Sequence, residues 1–152
     1  MIAIVSGANP PVTRHYASGA VLERIEAALI AVGVDSARPT TADLAPLDNL
    51  HGRGVIATRE QIAAAGITAN MHVLDIGCGI GGPARVMAEE VGCRVTGIDL
   101  TLEFIEVARE LTRRCGMAGQ VEFDQGDATA LPYDDEKFDH VYCHNVTMNI
   151  AD

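Results

Sequence analysis

An α/β fold with a mostly parallel, doubly wound sheet, preceded by a helical leader, is what these 152 residues encode. Three observations carry that reading. From residue 71 onward, short β-branched runs alternate with amphipathic stretches, the order that builds a parallel sheet from strand–crossover–strand units. The first of those runs opens directly into a glycine-rich turn, Gly77-Cys78-Gly79-Ile80-Gly81-Gly82. Before residue 71 the pattern is helical instead, broken at Pro10-Pro11, Gly33, Pro39, Pro46 and Gly52 to Gly54.

The leader, residues 1–70, holds two expected helices. Leu22, Ile25, Leu29 and Val32 recur at three- and four-residue steps, so Ser18 to Val32 reads as one amphipathic helix with Gly33 as its left-handed stop. Thr58 and Gln61 stand at capping-box spacing, which predicts a second helix from Thr58 through Ile62 to Ala65, ended by Gly66.

Residues 71–152 form the sheet domain. Val73-Leu74-Asp75-Ile76 is its first strand. Pro83 stands where a first helical residue needs no N–H, so a helix is expected from Pro83 to Val91, stopping at Gly92. Cys93 to Ile98 is the second strand and ends in Asp99. Thr101 is the expected cap of a helix from Leu102 to Arg114. Phe104, Ile105, Ala108 and Leu111 are its buried stripe, and Arg113 and Arg114 suit the negative end of its dipole. Val121-Glu122-Phe123 and Phe138 to Cys143 complete a run of four strands.

Composition limits the partners. A chain that is 48% hydrophobic and 21% charged is a globular domain. At this length it hides roughly 70% of its unfolded surface, enough for a core without staples or metal. Its 21 acidic residues outnumber 11 Lys and Arg, giving a net charge of −10, and the densest basic group is Arg113-Arg114. Nucleic acid and anionic membrane are therefore not expected partners. The longest apolar runs, Met1 to Val5 and Ala27 to Val32, fall short of the roughly 20 residues that span a bilayer. Met1 to Val5 also lacks a basic leader, so no signal peptide is read and the expected location is cytoplasmic. Cys78, Cys93, Cys115 and Cys143 form no Cys-x-x-Cys pair and read as reduced, buried small hydrophobes. His140, Cys143 and His144 come nearest to a metal cluster, but strand alternation parts Cys143 from His144, so no metal is expected.

Open sheets of this kind bind ligands beyond the carboxyl ends of their strands. That edge collects Asp75 to Gly81, Asp99, Gly126-Asp127-Ala128 and Cys143 to Asn145. Gly77, Gly79 and Gly82 satisfy the G-x-G-x-x-G spacing, and Asp99 follows about 20 residues later, formally the dinucleotide fingerprint. The glycines let a ligand approach the backbone, and the acid can accept from ribose hydroxyls. On these residues alone an NAD(P)-dependent oxidoreductase and another nucleoside-binding protein both remain open.

Val73 to Gly82 resembles the first motif of class I S-adenosylmethionine-dependent methyltransferases, in which an acidic residue precedes the glycine turn. Gly97-Ile98-Asp99-Leu100 is similar to that family's second-strand acid and Gly126-Asp127-Ala128 to its adenine-side loop. Leu131-Pro132-Tyr133 to Val141 resembles the approach to its fourth strand. In the leader, His15-Tyr16, Asp43 to Asp48 and His51-Gly52-Arg53-Gly54 with Ala57-Thr58-Arg59 are similar to bacterial methyltransferases acting on small molecules. The resemblance implies a Rossmann-like fold, S-adenosylmethionine as cofactor and a small-molecule methyl acceptor. It implies cofactor contacts from Asp75, Gly77, Cys78, Gly79, Gly81, Asp99, Leu100, Asp127, Ala128, His144 and Asn145.

Charge supports that choice of ligand. A carboxylate at Asp75 would repel a pyrophosphate but serves the ammonium of a methionine moiety. The N–H groups of Cys78 and Gly79 are expected to face that moiety, Asp99 the ribose, and Asp127 with the Ala128 backbone the adenine. Methyl transfer mainly demands alignment, and no catalytic residue is assigned; His51, His144 or Tyr16 are the side chains that could take a proton from the acceptor. The family's sheet has seven strands, and this sequence ends just after the fourth. The expectation is an incomplete sheet in a fragment holding most of the cofactor site and little of the acceptor site. The fourth-strand edge at Val141, Tyr142 and Cys143 would then be open to self-association. A non-catalytic binding or assembly module is the remaining alternative.

Overall fold

The computed structural model of the chain describes residues 19–49 and 53–149. Four parallel strands form its sheet, β1 (His72–Ile76), β2 (Arg94–Asp99), β3 (Val121–Gln125) and β4 (His140–Cys143), in the order β3-β2-β1-β4. The chain runs outward from β1 to β3 and then returns to the other side of β1, so the order reverses between β1 and β4. Such a reversal opens a crevice at the carboxyl ends of the two strands. Register places Asp75 opposite Gly97 on one side and opposite Tyr142 on the other.

Strand alternation sends Val73, Val95, Val121, Phe123 and Tyr142 to one face. There they share a core with Ala84, Met87 and Ala88 of α4 (Gly82–Val91) and Ile105 and Ala108 of α5 (Leu102–Arg114). The same numbering puts α1 at Val21–Ala31, α2 at Thr41–Asp48 and α3 at Gly54–Ala65. The leader helices pack outside this layer. Ile25 and Leu29 of α1 and Leu44 of α2 meet Val107 and Leu111 of α5 and Ile80 of the glycine turn.

Among the described residues the five α-helices pack on that one face. The opposite face is covered by the connection from β3 to β4. The Tyr133 hydroxyl donates to Asp124 Oδ2 at 3.0 Å, the Tyr133, Phe138 and His72 rings stack edge to face, and His72 Nε2 lies 2.9 Å from Thr96 Oγ1. Val141 of β4 stays 52% exposed.

Local signals match the structure where they are backbone rules. Gly33, Gly66 and Gly92 follow their helices in the left-handed region, and α5 spans the expected residues. Five expectations are corrected. Helix α1 starts at Val21 instead of Ser18, because the Glu103 carboxylate at the start of α5 accepts the N–H groups of Gly19 and Val21. Helix α2 was not anticipated: Pro46 sits inside it, and its true capping box is Thr40 with Asp43. Helix α3 begins at Gly54, so Thr58 lies buried within it and caps nothing. Thr101 stands at the N-cap of α5 without a side-chain cap; its own N–H donates to Asp99 Oδ1 at 2.9 Å. Cys143, expected to be buried, is exposed and Cys115 is only half-buried, while Cys78 and Cys93 are buried as expected.

Candidate functional site

The turn after β1 is pinned from below. The N–H groups of Gly77 and Cys78 both donate to the carbonyl of Ile98, at 2.8 and 3.1 Å, which ties the turn to the end of β2. Gly77 adopts φ 68°, and a Cβ there would lie 2.3 Å from Val146 in the segment after β4. Only glycine lets the two strand ends approach that closely. Gly79 also has positive φ, at 54°, but nothing lies within 4 Å of where its Cβ would be. The turn is open on that side.

Asp99 closes the second strand and organises the turn. Its Oδ2 accepts the Gly79 N–H at 3.0 Å and its Oδ1 the Thr101 N–H. This corrects the expectation that the Cys78 and Gly79 amides face a ligand. Both are spent inside the protein, one on a buried carbonyl and one on Asp99. The Gly126 N–H donates to the Asp99 carbonyl at 3.0 Å, which brings the loop of Asp127 and Ala128 beside β2. Asp127 Oδ1 in turn accepts the Thr129 N–H and hydroxyl at 2.8 and 2.7 Å. Those bonds hold its carboxyl below the usual range. Leu100 is half-buried next to Asp99, and its carbonyl accepts from Gln125 Nε2 at 3.3 Å.

Asp75 lies beneath the turn. It is 2% exposed, and its Oδ2 has no partner in the structure. Burial pushes its carboxyl up to about 8, with the negative charge of Asp99 adding to the shift. A buried carboxylate without a counter-charge is costly, so this position is set up to receive a cation or stay protonated. Across the ladder, burial raises the Tyr142 hydroxyl to about 12, and Asp75 adds to it. Tyr142 Oη lies 3.3 Å from His144 Nδ1. Asp99, Asp75, Tyr142 and His144 thus lie along the carboxyl ends of the neighbouring strands β2, β1 and β4.

Asn145, the next residue after His144, is exposed in the left-handed region at φ 57°. Tyr16 and His51 lie outside the described residues. Tyr142 and Val146 were missed from the sequence. Strand alternation opposite Asp75 could have found Tyr142, whereas nothing local marks Val146. Among the described residues no three His, Cys, Asp or Glu side chains converge as a metal site requires.

A model of the methyltransferase domain matches residues 73–152. The chain belongs to this methyltransferase family. Among its relatives, the methyltransferase GfsG of Streptomyces halstedii is 34% identical over 110 residues, 72% of this chain and 40% of that protein. Phosphoethanolamine N-methyltransferase 1 of Arabidopsis thaliana is 37% identical over 99 residues, 65% of this chain and 20% of that protein. A solved SAM-dependent methyltransferase from Thiobacillus denitrificans, in complex with S-adenosyl-L-homocysteine, superimposes with a TM-score of 0.56 at 33% identity. That match covers 69% of this chain and 41% of the other. The chain spans less than half the length of these methyltransferases.

Proposed function

We propose that this chain binds S-adenosylmethionine in the crevice beyond the carboxyl ends of the four strands, and that its protein transfers a methyl group to a small-molecule acceptor. The observation that carries the reading is the unpartnered, buried Oδ2 of Asp75 beside an open glycine turn. An ammonium-bearing nucleoside supplies the missing cation; a pyrophosphate would add a second negative charge. When bound, S-adenosylmethionine supplies a methyl group on a sulfonium, an already activated leaving group.

The chain's own residues bind and orient. Asp75 would neutralise the methionine ammonium. The two carboxylate oxygens of Asp99 each hold one amide and keep a lone pair for ribose hydroxyls. Asp127 and the Ala128 backbone would meet the adenine, with Gly77, Cys78, Gly79 and Gly81 forming the floor and Leu100 the flank. His144, oriented by Tyr142, would stand with Asn145 at the methyl end, where an imidazole can take the acceptor's proton. Holding acceptor and methyl in line is the main catalytic demand, worth up to about 7–11 kcal/mol in well-oriented reactions.

Four free thiols support a reducing, cytoplasmic setting. Among the described residues no helix is long and apolar enough to cross a membrane. Among the described residues β4 lies at the edge of the sheet, which supports self-association by strand pairing; a monomeric mass in sedimentation at micromolar concentration would overturn that part.

Calorimetric titration tests the cofactor assignment. Saturable heat with S-adenosylhomocysteine and none with NADH is expected. Binding of NADH in preference would overturn the reading, and turnover with candidate acceptors then tests the transfer itself.

A further inference from the structure

Arg85 is completely buried on α4, between Ala84 and the apolar run Val86, Met87, Ala88. A buried guanidinium needs acceptors, and it finds them on three separate elements. Nη2 donates to Asp48 Oδ2 at the end of α2, at 2.7 Å, and to the Ile80 carbonyl in the glycine turn, at 2.9 Å. Nη1 donates to Thr112 Oγ1 of α5 at 3.0 Å. The chain of bonds continues into the leader. Asp48 Oδ1 accepts from Asn49 Nδ2 at 2.6 Å, and Asn49 Oδ1 accepts from the Thr58 hydroxyl of α3 at 3.2 Å.

Gly82 belongs to the same assembly. A Cβ at that position would lie 2.5 Å from the backbone carbonyl of Asp48, so the last glycine of the fingerprint is required by the leader pressing on the turn. The carbonyl that Arg85 grips lies one residue from Gly79, the open glycine whose amide is held by Asp99.

We propose that Arg85, clamped by Asp48, is a positioning residue that sets the glycine turn, so that the seating of the leader on α4 controls the shape of the cofactor crevice. The effect on the turn stands by itself, while the effect on cofactor affinity rests on the function proposed above. A merely structural role makes a different demand. Replacing a buried ion pair by apolar residues of similar volume is often neutral for stability. A structural pair would therefore be replaceable without consequence, whereas a positioning pair would leave the Ile80 carbonyl without its donor.

The test uses the whole chain carrying Asp48→Leu with Arg85→Met, and separately Arg85→Lys, whose single ammonium does not reproduce a fork spanning three elements. Amide hydrogen exchange by NMR, without ligand, reads the turn directly. The Gly79 and Gly81 amides should exchange about tenfold faster than in the unmodified chain, the scale of one lost hydrogen bond. The Val95 amide, which bonds to the Gln120 carbonyl, should be unchanged. S-adenosylhomocysteine should then bind about tenfold more weakly, with adenosine affected less. Unchanged exchange at Gly79 and Gly81 in a folded variant overturns the proposal, whatever the chain binds. Should the double variant not fold, Arg85→Lys decides by the same readout. Failure of the unmodified chain to bind S-adenosylhomocysteine overturns the proposed function, and the exchange rates still judge the clamp.

Discussion

The Asp99 carboxylate accepts the Gly79 amide at 3.0 Å, so the acid that ends β2 also holds the turn that follows β1. One side chain thereby serves the fold and the proposed site together. It bridges the turn and the first residue before α5, which makes it more than a ribose hook.

Asp99→Ala should therefore lose stability as well as affinity. Two amides, those of Gly79 and Thr101, lose their acceptor, at a cost of about 1–3 kcal/mol for each one that stays unsatisfied. Denaturant unfolding checks that part. Titration with S-adenosylhomocysteine should show binding weakened about tenfold or more, since hydrogen bonds to a charged acceptor are the stronger ones. Loss of affinity with unchanged stability would mean that the two amides find water at no cost.

Asp75 makes the free protein sensitive to pH in a defined direction. Its folded pKa of about 8 lies above the ordinary 3.8, so the folded chain binds the extra proton between those values. Its contribution to stability is present below about pH 4 and is lost as pH rises through 8. Asp75→Asn removes the titration. The unfolding free energy of the unmodified chain, relative to that variant, should fall steadily from pH 5 to pH 8.5. A flat difference across that range would show that the carboxyl is not buried as described.

Binding should reverse the protonation of the same group. With an ammonium beside it Asp75 ionises, so S-adenosylhomocysteine binding at pH 7 should release close to one proton, and affinity should tighten by at most about tenfold per pH unit from 6 to 8. Calorimetry in buffers of different ionisation enthalpy measures the proton count. Asp75→Asn should abolish the release.

The glycines of the turn should differ in their tolerance of a methyl group. Gly79→Ala meets open space and pays only for positive φ, about 1–2 kcal/mol. Gly77→Ala carries the same backbone cost and also drives a Cβ into Val146, adding about 1–3 kcal/mol of overpacking. Urea unfolding of the two variants should rank Gly77→Ala as clearly the less stable.

Much of this architecture was legible before any coordinates. The hydrophobic period of α5 depends only on neighbours three and four residues away, and the glycine stops at Gly33, Gly66 and Gly92 depend on a single dihedral. The same reliance on local pattern produced the errors. Thr58 and Gln61 satisfy a capping spacing, yet Thr58 bonds to Asn49 within a buried network, and Pro46 reads as punctuation although it lies inside α2.

The sequence by itself determined the strand and helix order of the sheet domain, the position of the glycine turn and the acids on either side of it. These follow from alternation, periodicity and permitted φ, which are short-range properties of the chain. Only the tertiary structure decided that the Cys78 and Gly79 amides are spent internally, that Oδ2 of Asp75 is left without a partner and that Arg85 reaches Asp48 and Ile80. Those outcomes depend on which distant groups burial brings together, because a desolvated charge or amide must bond to whatever shares its cavity, however far away it lies along the chain.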